Sequence, residues 1–274
     1  MSLKRFSVIL ILLFITSSSF AQRNFEFRSV AELGFVGVLS HKIQFSNSGT
    51  YFDYVKQGGQ DVLFPVSRLS LELDFKKRNT LFFLYQPLSL QSQVLLAEDV
   101  VVDDLTFSAG TSLNLLYNFP FYRISYLREL LPDNEKYSFG IGASLQVRNA
   151  TIIFESADGT QFRTNRDVGP VPIMKIRFRT EHSEWAYTEF EADGFYAPIS
   201  YINGSDNEVI GAILDASFRG GLKINDPIDV FFNLRYLGGG ALGTGDVKPG
   251  EPGDGFVKNW LHFMTVSAGA VYNW

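Results

Sequence analysis

Apolar and polar residues alternate with a period of two along most of this chain, and that period restricts the fold more than any other feature. From Tyr137 to Arg148, Tyr137, Phe139, Ile141, Ala143, Leu145 and Val147 alternate with Ser138, Gly140, Gly142, Ser144, Gln146 and Arg148. Successive side chains of a strand point to opposite faces, so this is a strand with one greasy side. The pattern recurs. Ala31, Leu33 and Phe35 share a face opposite Glu32 and Gly34; Leu69, Leu71, Leu73 and Phe75 oppose Arg68, Ser70, Glu72 and Asp74. Phe82, Leu84, Leu88 and Leu90 oppose Tyr85, Ser89, Gln91 and Gln93; Tyr122, Ile124 and Tyr126 oppose Arg123, Ser125 and Glu129. Met174, Ile176 and Phe178 oppose Lys175, Arg177 and Arg179, and Thr188, Phe190 and Ala192 oppose Glu189, Glu191 and Asp193. Leu214, Ala216, Phe218 and Leu222 oppose Asp215, Ser217, Arg219 and Lys223; Val230, Phe232, Leu234 and Tyr236 oppose Asp229, Asn233 and Arg235.

Long and short connections alternate between these strands. The short ones fall at 76–79, 131–135, 181–183 and 225–227, and the long, polar ones at 46–61, around Glu98 to Asp104, at 158–169, 198–207 and 243–255. Ten strands with both termini on the short-turn side satisfy this order. Twelve follow if 95–119 hides a further hairpin, and eight would require two segments to be demoted. No repeat or composition shift marks a second domain. The fold class expected is all-β, an antiparallel up-and-down barrel. Alternation alone does not say whether the apolar face points outward, as in a membrane barrel, or inward, as in a lipocalin-like or sandwich protein.

The N-terminus favours export. MSLKR precedes an apolar run from Phe6 to Ile15 and a small-residue site at Ser19-Phe20-Ala21, the layout of a secretory signal cleaved after Ala21. That run is too short to span a bilayer as a helix. Residues 1–21 are thus expected to be a cleaved signal and residues 22–274 a single barrel domain. The chain has no cysteine, which excludes disulfides and thiolate metal sites. Net charge is -5, and -7 once Lys4 and Arg5 leave with the signal (24 less 2 basic against 29 acidic residues). That balance argues against nucleic acid as a partner.

The last eight residues read S-A-G-A-V-Y-N-W. Ser267, Gly269, Tyr272 and Trp274 place a polar residue, a glycine two later, and aromatics at the antepenultimate and final positions. This resembles the C-terminal signal of bacterial outer-membrane β-barrels. The resemblance implies an outer-membrane location, recognition of the last strand by the barrel-assembly machinery, and contact with outer-membrane lipids and lipopolysaccharide. It also implies that the apolar faces meet lipid, with Leu145 outward and Gln146 in the lumen. The 26 Phe and 12 Tyr suit aromatic girdles.

Three arrangements could carry chemistry. On the polar face, Lys175, Arg177, Glu189, Glu191, Asp215, Arg219 and Arg235 lie on consecutive strands with balanced signs. If the turn at 181–183 paired Phe178 with Ala186, Lys175 would face Glu189. Balanced charge favours a lumen plugged by ion pairs over a conducting pore, which would carry a ring of one sign. The histidines are weak catalytic candidates. His182 sits in a turn beside Ser183 and Glu184, too close in sequence to converge on one atom. His41 and His262 lie near the outer ends of the first and last strands, and by phase with Leu33 and with Val266 both should face lipid. The loop acids Glu98, Asp99, Asp103 and Asp104 lack the spacing of a calcium loop, so no metal site or cofactor is implied. The reading is a non-enzymatic outer-membrane barrel with a charge-filled lumen and ligand- or lipid-binding loops. The alternatives are a lipid A- or peptide-hydrolysing enzyme with its site at the extracellular rim, and a narrow channel for small solutes.

Overall fold

The structure, a computed structural model, describes residues 25–198, 209–245, 247 and 252–274. The expected signal segment, most of the 198–207 loop and part of the 243–255 loop lie outside these residues. The regular elements are strands: β1 Phe25–Phe45, β2 Phe52–Asp53, β3 Leu63–Phe75, β4 Asn79–Gln86, β5 Ser89–Leu95, β6 Val100–Val102, β7 Leu105–Phe107, β8 Ser112–Asn118, β9 Phe121–Glu129, β10 Tyr137–Ser156, β11 Phe162–Glu181, β12 Ala186–Pro198, β13 Val209–Asn225, β14 Ile228–Thr244 and β15 Phe256–Asn273.

Ten of them close a barrel in which every pairing is antiparallel. The circuit is β1-β3-β4-β9-β10-β11-β12-β13-β14-β15 and back to β1. Closure pairs the two ends of the chain, from Arg28 with Asn273 to Phe45 with Val257. The ten-strand expectation holds. β5 and β8 extend the β4–β9 hairpin upward, with β8 pairing to the upper part of β10, and the stretch 95–119 carries the β6–β7 ribbon at the tip. The hairpin continues the wall upward in the same register as β4 and β9 and adds no strand to the circuit.

The short connections lie where the spacing puts them, on the same side as both termini. The expected 158–169 loop is a turn of five residues between β10 and β11. The two strands run past the apolar belt and stay paired from Tyr137 opposite Thr180 to Glu155 opposite Phe162. The upper end of β11, from Arg163 to Asp167, is polar on both faces, and this lack of contrast reads as loop in sequence, whereas β10 keeps Ile152 and Phe154 buried on its inner face.

The outward faces are apolar. Leu33, Phe35, Tyr122, Ile124, Leu145, Met174, Phe218, Phe232 and Val266 are exposed, as are Tyr272 and Trp274 at the lower rim. In water such a surface would aggregate; in a bilayer it is the lipid belt. Two segments depart from the simple pattern. In β4, Phe82 and Leu84 are buried while Phe83 and Tyr85 face out, so that strand is apolar on both faces. In β1 the register against β15 shifts between Val38 and Ser40. The extra residue, Leu39, is a β-bulge, and it exchanges the two faces of everything above it.

Candidate functional site

The lumen has two tiers of opposite character. The lower tier is ionic. Alternation puts Asp193 of β12 directly opposite Asp215 of β13. Two carboxylates facing each other on neighbouring strands repel. Arg123 reaches across from β9 on the far wall and lies 2.9 Å from both, while Gln146 Oε1 accepts from its Nε and Nη2 at 3.0 and 2.6 Å. Arg235 also donates to Asp215. Lys175 Nζ sits 2.7 Å from Glu191 and 3.0 Å from Asp193.

A second group lies on the β1 side. Glu32 accepts from Asn233 at 2.9 Å, from Ser267 at 3.0 Å and from Arg219 at 3.2 Å. Arg219 also reaches Glu189 at 3.1 Å, with its guanidinium 4.0 Å from the Phe231 ring. Arg177 and Arg28 share Glu72, at 3.2 and 2.8 Å. Arg68 lies 3.7 to 3.8 Å from Glu32, Glu191 and Asp215 and so touches both groups. These charges are buried or, at Arg28, Arg68, Glu191 and Arg219, half-buried, and each cation has a carboxylate within reach, the condition under which buried charge is tolerated. A cavity of about 20 Å³ remains among Arg68, Glu72, Phe82, Arg123, Lys175 and Arg219, room for one water.

All seven lumen charges singled out in sequence point inward, but their partners differ from those expected. Lys175 pairs in register with Asp193 and Arg179 with Glu189. Phe178 faces Phe190 instead of Ala186, because the turn is longer than 181–183 and β12 starts at Ala186. Arg123, Asp193, Glu32, Arg68 and Glu72 belong to the network and were missed as members. Each was already on a polar face in the sequence. Glu32 faces Arg68, and Asp193 faces Lys175, on adjacent strands, while Arg123 to Asp193 and Arg177 to Glu72 are contacts across the bore.

The upper tier is apolar. Tyr54, Phe52, Leu90, Phe107, Leu113, Tyr117, Phe154 and Phe263 are buried there in one cluster with Ile43 and Leu261. The 46–62 segment folds inward to supply Phe52 and Tyr54. It is held by Tyr54 N donating to His41 O, by Ser92 Oγ donating to Gly58 O, and by β2 against β1.

His41 lies in this tier, fully buried. Its ring stacks on Tyr54 at 4.3 Å, meets Tyr117 edge-on at 4.3 Å, and its Nδ1 is 2.8 Å from Gln60 Oε1. A carbonyl oxygen only accepts, so Nδ1 carries the proton. The expectation that His41 faces lipid is wrong, and the bulge at Leu39 is the reason. His262, opposite Ser40, keeps the outward phase and lies 2.5 Å from Tyr236 Oη. His182 stays on its exposed turn, 2.8 Å from Thr188 Oγ1. Among the described residues, none of the three shares a cleft with a nucleophile and an acid, the arrangement acyl chemistry requires.

Outside the membrane-spanning strands, the loop carboxylates are engaged in local structure. Asp158 accepts from Ser156, from the Thr160 backbone N–H and from Thr160 Oγ1; these bonds hold its pKa down, to about 2. Arg163 donates to Asp104 and lowers its pKa, while burial raises that of Asp103. The backbone N–H of Asn47 does the same for Asp254 as Arg163 does for Asp104. Among the described residues no cluster has the makings of a metal site. The final strand closes the barrel: Trp274 N donates to Phe27 O, Trp274 Nε1 to Ser29 Oγ at 3.0 Å, and its ring packs edge-on against Tyr272.

No family profile and no curated protein sequence matches this chain. By structure it is similar to the outer membrane protease OmpT of Escherichia coli, with a TM-score of 0.52 and 10% identity over 93% of this chain and 99% of that one. OprG of Pseudomonas aeruginosa aligns over 91% of this chain and 95% of its own at 10% identity, and Ail of Yersinia pestis over 91% and 99% at 9%, each with a TM-score of 0.36. The closed ten-strand circuit, the apolar belt and the likeness to OmpT together give the chain the fold of a bacterial outer-membrane β-barrel.

Proposed function

We propose that this protein is a non-conducting, non-enzymatic outer-membrane barrel, exported by its N-terminal signal and inserted by the assembly machinery through Ser267, Gly269, Tyr272 and Trp274. Its work is done at the lipid belt and the outer loops, in contact with outer-membrane lipid. One observation carries this reading: Arg123 bridges Asp193 and Asp215 from the opposite wall, with room for about one water beside it. The apolar tier above adds a second barrier, since an ion leaving water for it would meet no compensating dipoles. Recognition of a solute by such a lumen would require both tiers to rearrange.

Planar-bilayer recording tests the proposal directly. Purified barrel should insert without stable unitary current at moderate voltage. Reproducible single-channel steps from the unmodified protein would overturn the reading. The heat-modifiable band of the reconstituted protein controls for insertion.

A further inference from the structure

The barrel wall has a parting in it. The β11–β12 ladder runs from Glu181 opposite Tyr187 only as far as Met174 opposite Gly194. Beyond that rung both strands continue. β11 stays paired with β10, through Pro172 opposite Leu145 and Pro170 opposite Val147, and β12 stays paired with β13 to Pro198 opposite Ile210. Residues 170–173 and 195–198 thus each keep one neighbour and lack the other.

The sequence dictates this parting. The β10–β11 ladder passes unbroken through two prolines, so they occupy its non-hydrogen-bonded pairs and their nitrogens face the β12 side. Continuing the β11–β12 register two residues at a time puts Pro172 opposite Tyr196 and Pro170 opposite Pro198. Those two rungs call for four N–H donors, and three of the four residues are prolines. The ladder therefore has almost nothing with which to continue. An open strand edge in hydrocarbon is costly chiefly through its unpaired donors and acceptors, and the prolines remove donors from it.

The outer face of this parting is the most exposed part of the β11–β12 wall. Val168, Met174 and Tyr196 are 66%, 63% and 69% exposed, against 39% for Ile176 below. Above Val168 on the same face stands Arg166, exposed and with no ion pair among the described residues. Two residues of strand separate them, about 7 Å. A lone cation directly above an apolar track matches a molecule with an anionic head and an aliphatic tail.

We infer that the parting between β11 and β12 is a lateral docking seam for a net-anionic, phosphate-bearing acyl lipid of the surrounding leaflet. The acyl chain lies along Val168, Pro170, Pro172 and Met174, and the phosphate meets Arg166. The inference rests on the membrane-barrel reading but not on the closed lumen.

The test uses the full barrel in neutral detergent micelles, with bound lipid counted by native mass spectrometry. The probes are phosphatidylglycerol, phosphatidylcholine with the same chains, and glycerol phosphate without chains. Phosphatidylglycerol should bind more tightly than phosphatidylcholine, and glycerol phosphate should not be retained. Arg166→Gln should weaken phosphatidylglycerol about tenfold, the weight of one charge-assisted hydrogen bond. The double change Pro170→Val and Pro172→Val returns two donors to the edge. It should slow amide exchange at Tyr196 and reduce retention of both lipids. Retention unchanged by a zipped seam, equal binding of the two lipids, or glycerol phosphate held as tightly as the lipid would each overturn the proposal. If the proline variant shows no heat-modifiable band, Arg166→Gln, at an exposed position, decides alone. A heat-modifiable parent that binds no lipid sinks the seam and leaves the barrel standing, whereas a parent without that band sinks both.

Discussion

Asp215 and Arg235 offer the sharpest test of the ionic tier, because their dependence on each other is unequal. Asp215 meets three cations: Arg123 at 2.9 Å, Arg68 at 3.7 Å, and Arg235. Arg235 has Asp215 as its only ion-pair partner among the described residues. Replace Asp215 by Leu. Arg123 retains Asp193 and Gln146, and Arg68 retains Glu32 and Glu191. Arg235 retains no carboxylate and stays buried. A stranded buried charge costs about 3–5 kcal/mol. Replace Arg235 by Met instead, and Asp215 still has two guanidiniums; the loss is one charge-assisted bond, about 1.5–3 kcal/mol. In the double variant no charge is stranded, since an apolar pair now occupies the site. It should be at least about 2 kcal/mol more stable than Asp215→Leu alone. Urea titration in micelles, followed by the heat-modifiable band and tryptophan fluorescence, reads these differences as shifts of midpoint at constant slope. If Asp215→Leu proves no worse than the double variant, Arg235 does not depend on Asp215 and the tier is not a coupled network.

Other substitutions probe the remaining features. Leu145→Arg sets a charge against lipid near mid-depth and should cost about 2–4 kcal/mol in insertion assays. Gln146→Glu should be tolerated, because a carboxylate can accept the same two bonds from Arg123, whereas Gln146→Arg, which alternation alone would allow, crowds two guanidiniums and should fail to fold to wild-type levels. His41→Ala should cost about 2–4 kcal/mol through the cavity it leaves and should expose the 46–62 segment to protease, with His41→Phe milder; equal protease resistance would argue against the buried stack. Asp158 has a folded-state pKa of about 2 against an ordinary 3.8. The stability it contributes is therefore complete above about pH 4 and fades as pH falls through 2; an isotope-edited carboxylate titration that centres near 4 would contradict the turn geometry. Deleting Trp274 should lower the amount of assembled barrel in the outer membrane more than the stability of what does assemble, since the side chain is exposed at the rim.

The lower half of this molecule was legible because lipid and lumen impose opposite demands on alternate residues. Where the contrast is strong, as along Tyr137 to Gln146 or Met174 to Arg179, sequence gives face and strand together. Legibility fails where both faces ask for the same chemistry. Phe82 packs under the Lys175 and Arg177 cations and Leu84 joins the apolar tier, so β4 is greasy on both sides and its phase is ambiguous. His41 was misplaced by a single inserted residue, and nothing in the local sequence around Leu39 announces a bulge. Arg123 was seen on a polar face, but its partners lie on strands about 70 and 90 residues further along the chain, beyond the reach of pattern reading. The parting above Met174 was visible in principle as three prolines, yet only the observed register shows that two of them, Pro170 and Pro198, would meet.

Glu32 has consequences for the order of assembly. Its partners Asn233 and Ser267 are 201 and 235 residues away and are synthesised long after it. Until β15 meets β1, Glu32 cannot be desolvated without loss, and Arg219 lacks one of its two carboxylates. Water must therefore stay in the interior through most of the folding reaction and leave when the circuit shuts. Contacts of such long range come late and slowly. A chain cut short before Asn233 would present a wet, unmatched carboxylate where the finished barrel is dry. Closure and drying are thus a single event, so an unfinished barrel differs from a finished one by charge as well as by shape.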